Sequence, residues 1–337
     1  MQKELIYWYE HNKRDLPWRK TNNPYNIWIS EIMLQQTTVE AVIPYYQRFM
    51  KRFPTIKDLA ISNEEEVYKY WEGLGYYRRA KHILETAKVL HHQYQDQFPK
   101  EYNDIIKLKG IGPYTAGAIS SISFFKEIAA VDGNVLRIIS RTHLICDNIA
   151  LSTTQNQIST IVNELIKGFN PSSFNQGLMD LGATICRPKN PKCEICPIKA
   201  DCKAYANKQQ NVLPISIKKV KHQEIDYITG IITYDNQYMI IKNKKGLLEN
   251  LYGLIQYECQ NPYEYIQLFK EEYNLDLEVT DYIKDIKHVF THRTWRMHIY
   301  HFTLKQPHQY LYNQKEMEKL PISTAHQKVF NAYFKEN

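Results

Sequence analysis

Hydrophobic positions fall into two textures along the chain. Through residues 1 to about 203, apolar side chains recur at three- and four-residue spacing, as in Glu40–Phe53, Asn63–Trp71, Tyr77–Tyr94 and Thr154–Phe169, with Pro, Gly and Asn breaking the runs. That period lays one apolar stripe along a helix and predicts an all-α domain. Farther on, apolar and polar residues alternate in Ile228–Tyr234, Tyr238–Ile241 and Trp295–Leu304, the pattern of half-buried strands. Tyr263–Tyr273 and Ser323–Phe334 return to helical spacing. Between the two textures, 204–222 is rich in Lys, Gln and Asn and holds Pro214, the composition of a linker. The pattern therefore predicts a helical domain over 1–203, a linker over 204–222 and an α+β domain over 223–337.

Length and composition agree with two domains: 337 residues, 43% of them hydrophobic, suffice for two cores. The net charge of +7 permits a nucleic-acid partner without demanding one. No run of 18 apolar residues is present, so no membrane helix is expected, and Met1–Leu5 lacks the basic-then-apolar layout of a signal peptide. Four of the six cysteines, Cys186, Cys193, Cys196 and Cys202, sit in one 17-residue window with C-x6-C-x2-C-x5-C spacing. Thiols crowded this way hold a metal or a cluster and do not make a disulfide framework. The spacing leaves zinc and iron–sulfur open. A reducing, cytoplasmic setting and a monomer are expected.

Leu108 to Ala118 joins two helical segments through Gly110 and Gly112, with Pro113 at the start of the next helix and Lys107 and Lys109 beside it. Glycines relax the backbone, and bare amides at a helix N-terminus bind phosphate, so a hairpin over 103–125 can grip a DNA backbone without reading sequence. A plain helix–turn–helix corner would also need two glycines. The segment fits L-x-G-[IV]-G-x-x-T-A throughout. With the four-cysteine loop that follows, it resembles the DNA glycosylase superfamily that includes endonuclease III.

Two carboxylates then bear on chemistry. Glu31 lies among Ile29, Ile32 and Met33, where burial would keep it protonated; Asp132, followed by Gly133 and Asn134, is either a turn and helix cap or an anion held by amides. Breaking a purine N-glycosidic bond needs an acid for the base and an anion for the sugar cation, which suits Glu31 and Asp132 in that order. Endonuclease III-like lyases carry an amine nucleophile in the hairpin; here that position is Tyr114, which cannot form a Schiff base. Glu31, Tyr114, Asp132 and Asn134, with Leu34–Thr37 and Gly73–Tyr77, resemble the A/G-specific adenine DNA glycosylase family (MutY) over residues 10–203.

The resemblance implies a monofunctional enzyme that flips adenine out of double-stranded DNA, opposite 8-oxoguanine or G. Glu31 would protonate adenine with help from Tyr114. Asp132, oriented by Asn134, would stabilise the oxocarbenium, directly or through a transient covalent acetal. It further implies a [4Fe–4S] cluster on the four cysteines over 186–202. Gln36 and Tyr76 would be wedges in the duplex, and Arg19 would stand near the adenine pocket. Residues 224–335 resemble the family's Nudix-like domain, in which Phe290, Thr291 and His292 would read 8-oxoguanine; the family usually has Ser where this chain has Thr291. Phe269–Tyr273 has no Arg and too few carboxylates for a Nudix hydrolase. The fold expected is thus multidomain: an all-α helix-hairpin-helix glycosylase domain with an iron–sulfur loop, plus an α+β Nudix-like domain. An endonuclease III-like lyase and a non-catalytic DNA-binding scaffold are the competing functions.

Overall fold

A computed structural model describes residues 1–217 and 222–336; of the linker expected over 204–222, residues 218–221 lie outside the described residues, as does Asn337. The chain forms two compact units, one built from 1–62 and 81–217, the other from 63–80 and 222–336.

The first unit is helical. Asn23 caps Pro24–Leu34 by accepting from the Tyr25 N–H, and Pro24 opens the helix where its missing N–H costs nothing. This helix is buried on every face from Ile27 to Met33, as a helix at the centre of a bundle must be. Pro113–Ser123 packs on it, and Pro171–Thr184 packs in turn on both Pro113–Ser123 and Gly133–His143. Leu5, Val135, Ile138, Ile158, Phe174 and Leu181 form one core, against which Cys186 and Cys196 lie. The first helix of the expected hairpin is only Tyr102–Ile105. Residues 204–217 are no free tether: Leu213 is buried, its carbonyl accepts from Arg141 Nε at 2.8 Å, and Ile215 O accepts from the Ile149 N–H at 2.9 Å.

The second unit carries strands β1 (Gln223–Tyr234), β2 (Gln237–Met239), β3 (Ile241–Lys242), β4 (Tyr252–Gly253), β5 (Ile255–Tyr257), β6 (Leu277–Val289), β7 (Arg293–Leu304) and β8 (Leu311–Tyr312). The main sheet runs β6-β7-β1-β2-β8, with β5 also on β1; β1 and β7 are parallel and the other pairs antiparallel. Both faces are covered. Ile225, Ile231, Trp295, Met297 and Ile299 meet helix Thr324–Glu336, while Ile228, Ile232, Phe302 and Leu304 meet helix Pro262–Tyr273. The two sets alternate along each strand, as the pleat requires.

Residues 63–80 belong to this second unit, although their helical texture continues that of the first. The helix Glu64–Trp71 places Glu65 on Lys242 at 2.7 Å, and Glu72 accepts from the Ile322 N–H at 3.1 Å. Those partners lie some 180 to 250 positions away, beyond the reach of local periodicity.

Candidate active site

Glu31 sits on the last turns of Pro24–Leu34, 5% exposed. Tyr114, in the first turn of Pro113–Ser123, donates its hydroxyl to Glu31 Oε2 at 2.5 Å and also touches Met179 Sδ at 3.8 Å. Burial raises the Glu31 pKa to about 7; Asp132 adds to the rise, while the Tyr114 bond and Arg19 oppose it. A carboxyl poised there can donate a proton at neutral pH.

Asp132 is the N-cap of Gly133–His143: its Oδ1 accepts from the Val135 N–H at 2.8 Å, and its Oδ2 accepts from Asn134 Nδ2 at 2.7 Å. The cap and the candidate anion are thus one residue. Its pKa is not simply held down by amides, as the sequence suggested. Burial raises it, and the hydrogen bonds from Val135 and Asn134 work against that rise. Asn134 is fixed in turn, because Arg137 Nη2 donates to Asn134 Oδ1 at 2.8 Å and to Gly182 O at 2.7 Å. Arg137 and Gly182 carried no signal in the sequence. Gly182 is required by contact, since a Cβ there would stand 2.5 Å from Asn134 Cβ.

Glu31, Tyr114, Asp132 and Asn134 line one cavity of about 550 Å³, together with Arg14, Arg19, Gln36 and Met179. Gln36 stands at its rim in left-handed backbone, φ 59°. Arg19, its side chain 11% exposed, pairs with the buried Asp180, which sequence reasoning missed. Among the described residues no lysine joins Glu31 and Asp132 in the lining of this cavity.

Gly110 and Gly112 of the hairpin lie apart from the cavity lining, which the hairpin reaches through Tyr114. Gly110 has φ +77° and a Cβ there would meet His82 Cβ at 2.6 Å, so glycine is required. Gly112 is an ordinary extended N-cap with open space around it, which corrects the view that both glycines need unusual backbone. What it leaves is an exposed helix N-terminus with Pro113 at its first position. Lys109 is exposed and pairs with Glu85 at 2.9 Å.

Cys186, Cys193, Cys196 and Cys202 line one further pocket with Arg141, whose Nη1 donates to Cys186 Sγ at 3.3 Å. Burial pushes the Cys196 thiol up to about 12 and raises Cys193 and Cys202 as well, so thiolates here need a positively charged group among them. Among the described residues no three His, Cys, Asp or Glu side chains converge as the ligands of a single ion would. Four cysteine sulfurs about one hollow are a donor set that an iron–sulfur cluster fits. Arg187, Lys189 and Lys192 of the same loop are exposed.

In the second unit a cavity of about 280 Å³ is lined by Tyr76, Leu247, His288, Phe290, Thr291 and His292. Thr291 and His292 are exposed at the turn between β6 and β7, and the Tyr76 hydroxyl hydrogen-bonds Thr291 Oγ1. Tyr76 is 44% exposed with φ 49°, and the Arg79 guanidinium lies over its ring.

Residues 29–166 match the profile of the HhH-GPD superfamily base excision DNA repair protein, and 228–332 match that of the NUDIX domain. An adenine DNA glycosylase of Buchnera aphidicola (subsp. Schizaphis graminum, strain Sg) is 38% identical over 293 residues, spanning 86% of this chain and 84% of that one. The adenine DNA glycosylase of Homo sapiens is 38% identical over 218 residues, 62% of this chain and 40% of that one. Among solved structures, a thermostable thymine-DNA glycosylase matches with a TM-score of 0.56 at 31% identity, over 61% of this chain and 94% of that one. An endonuclease III–DNA complex, at 22% identity and a TM-score of 0.53, shares the fold of the helical unit. With its helical glycosylase domain, its Nudix-like domain and near-full-length likeness to a named relative, the chain belongs to the adenine DNA glycosylase family of base-excision-repair enzymes, which act on N-glycosyl bonds.

Proposed function

We propose that this chain excises adenine paired with 8-oxoguanine or G, by hydrolysis alone. One observation carries the reading: a buried carboxyl with a pKa near 7, hydrogen-bonded to a tyrosine at 2.5 Å, shares a cavity with a capped second carboxylate. The adenine is flipped into that cavity. The Glu31 carboxyl gives its proton to N7, and the C1′–N9 bond breaks with its electron pair passing to the departing base. Asp132 faces the oxocarbenium left on the sugar, with Asn134 and Arg137 holding its orientation. Water adds to C1′, and its proton returns to Glu31. Tyr114 holds the Glu31 carboxyl through Oε2 and favours its ionised form, which eases release of the proton. It offers no amine, so no Schiff base forms and no strand is cut.

The remaining assignments follow the same reading. The amides at Gly110 and Gly112, with Lys109, grip phosphates, and Arg19 borders the base pocket. Gln36 and Tyr76 enter the duplex. Phe290, Thr291 and His292 contact 8-oxoguanine, the threonine hydroxyl serving where relatives use serine. Cys186, Cys193, Cys196 and Cys202 hold a [4Fe–4S] cluster, which when bound ties four points of the loop together. The catalytic domain is 1–203 with the lesion reader at 223–337, and a monomer in the cytoplasm acts on double-stranded DNA.

Single-turnover excision tests this on duplexes with A opposite 8-oxoguanine, G or T and on thymine glycol, with borohydride present. Adenine release opposite 8-oxoguanine and G with no trapped adduct is expected. Trapping with thymine glycol cleavage would favour the lyase, and tight binding without excision would favour the scaffold.

A further inference from the structure

We propose that Asp180 is a positioning residue for adenine excision, holding the Arg19 guanidinium in the wall of the Glu31 cavity. The proposal rests on the reading of that cavity given above. Asp180 is 1% exposed and is absent from the cavity lining, whereas Arg14, Arg19 and its neighbour Met179 line it. Arg19 Nη1 donates to Asp180 Oδ2 at 2.5 Å and Nη2 to Oδ1 at 2.8 Å, a two-pronged grip that fixes the plane of the guanidinium. Arg14 Nε and Nη2 reach Oδ1 at 2.8 and 2.6 Å from the other side.

Each charge needs the others. Burial acts to raise the Asp180 pKa, and the Arg19 and Arg14 guanidiniums more than offset it, so the carboxyl is held below its ordinary range. Burial likewise acts against the charge on Arg19, and Asp180 restores it. The ring of Tyr9 lies 5.5 Å from the Arg19 guanidinium, and Nη1 also donates to Arg14 O at 3.4 Å. A buried ion pair is weak support for stability alone, since apolar side chains of similar volume often serve as well. Here the pair fixes a cation where its charge acts on Glu31. A guanidinium freed from Asp180 could swing into a cavity that must admit a base.

Single-turnover excision of A opposite 8-oxoguanine, measured with thermal melting and duplex binding, tests this on D180N, R19Q and D180N/R19Q. Ser173→Ala is the structural control. Ser173 is on the same helix and donates to Glu10 Oε1 at 2.5 Å, remote from the cavity lining. D180N and R19Q should each lose about 10²-fold in rate. The double variant should lose no more than R19Q, because Asp180 acts through Arg19. Binding should hold, and S173A should lower the melting temperature at an unchanged rate. A folded D180N at the wild-type rate, or a double variant that multiplies the single losses, would overturn the proposal. Should D180N not fold, R19K decides: lysine keeps the charge without the fork, so a rate as low as that of R19Q is expected, and full recovery overturns it. Wild-type protein that releases no adenine would instead sink the reading of the cavity itself.

Discussion

Glu31→Gln should separate stability from chemistry. In the unfolded chain this carboxyl ionises near 4.5; burial in the fold moves that point to about 7. Between those pH values the folded state keeps a proton that the unfolded state has released. Stability therefore falls as pH rises from 4.5 through 7 and stays reduced above it. At about 1.4 kcal/mol per tenfold change in proton affinity, the full loss is on the order of 3 kcal/mol. Glutamine has nearly the same shape and does not titrate, and its amide oxygen can accept the Tyr114 hydroxyl. The variant should exceed the wild type by under about 1 kcal/mol at pH 5 and by about 3 kcal/mol at pH 8. For a unit of this size that is roughly 6–12 °C in melting temperature. Excision should fall by about 10²- to 10⁴-fold, the usual worth of a general acid. Thermal melting at both pH values, with single-turnover rates, checks the pair. A stability gap that does not widen with pH would refute the argument that Glu31 is buried as an acid.

The wild-type rate should follow a bell in pH, falling above about 7 as Glu31 ionises and falling at low pH as Asp132, raised above its ordinary range, takes a proton; a rate flat from pH 6 to 9 would deny Glu31 the acid role. Gly182→Ala should push Asn134 off Asp132, since the new Cβ stands 2.5 Å from Asn134 Cβ, cutting excision while DNA binding persists in a gel-shift assay. Thr291→Val should narrow the preference for 8-oxoguanine over G by about 5- to 10-fold, one hydrogen bond's worth, and Thr291→Ser should keep it. Narrowing by Thr291→Ser with none by Thr291→Val would show that the methyl group, and not the hydroxyl, matters.

The helical half was legible because its apolar stripes are continuous; the predicted ends of Tyr77–Tyr94 and the observed Arg78–Tyr94 differ by one residue. The strand β6 was not. Its sequence LEVTDYIKDIKHV is mostly charged or polar, since it is an edge strand, exposed along much of one side and interrupted by two register shifts, so no clean alternation survives. The affiliation of 63–80 was hidden for another reason: its helix pattern is local, whereas the partners of Glu65 and Glu72 are set by tertiary folding.

The site divides along the same line. Glu31 and Tyr114 stood out because each breaks a local rule, a carboxyl inside an apolar helix and a phenol inside a glycine hairpin. Asp180 and Arg137 broke none. An acid in a helix or an arginine one turn from a cap is ordinary in sequence, and each gains meaning only from partners elsewhere in the chain: Arg14 and Arg19 for the one, Asn134 and Gly182 for the other. Asp132 shows why the bland reading and the functional one need not compete. A capping aspartate has both oxygens pinned, one by a backbone amide and one by Asn134, and so presents its charge in a single orientation. That fixed orientation is what stabilising a short-lived cation requires, because a carboxylate that must first reorganise contributes less at the moment of bond breaking.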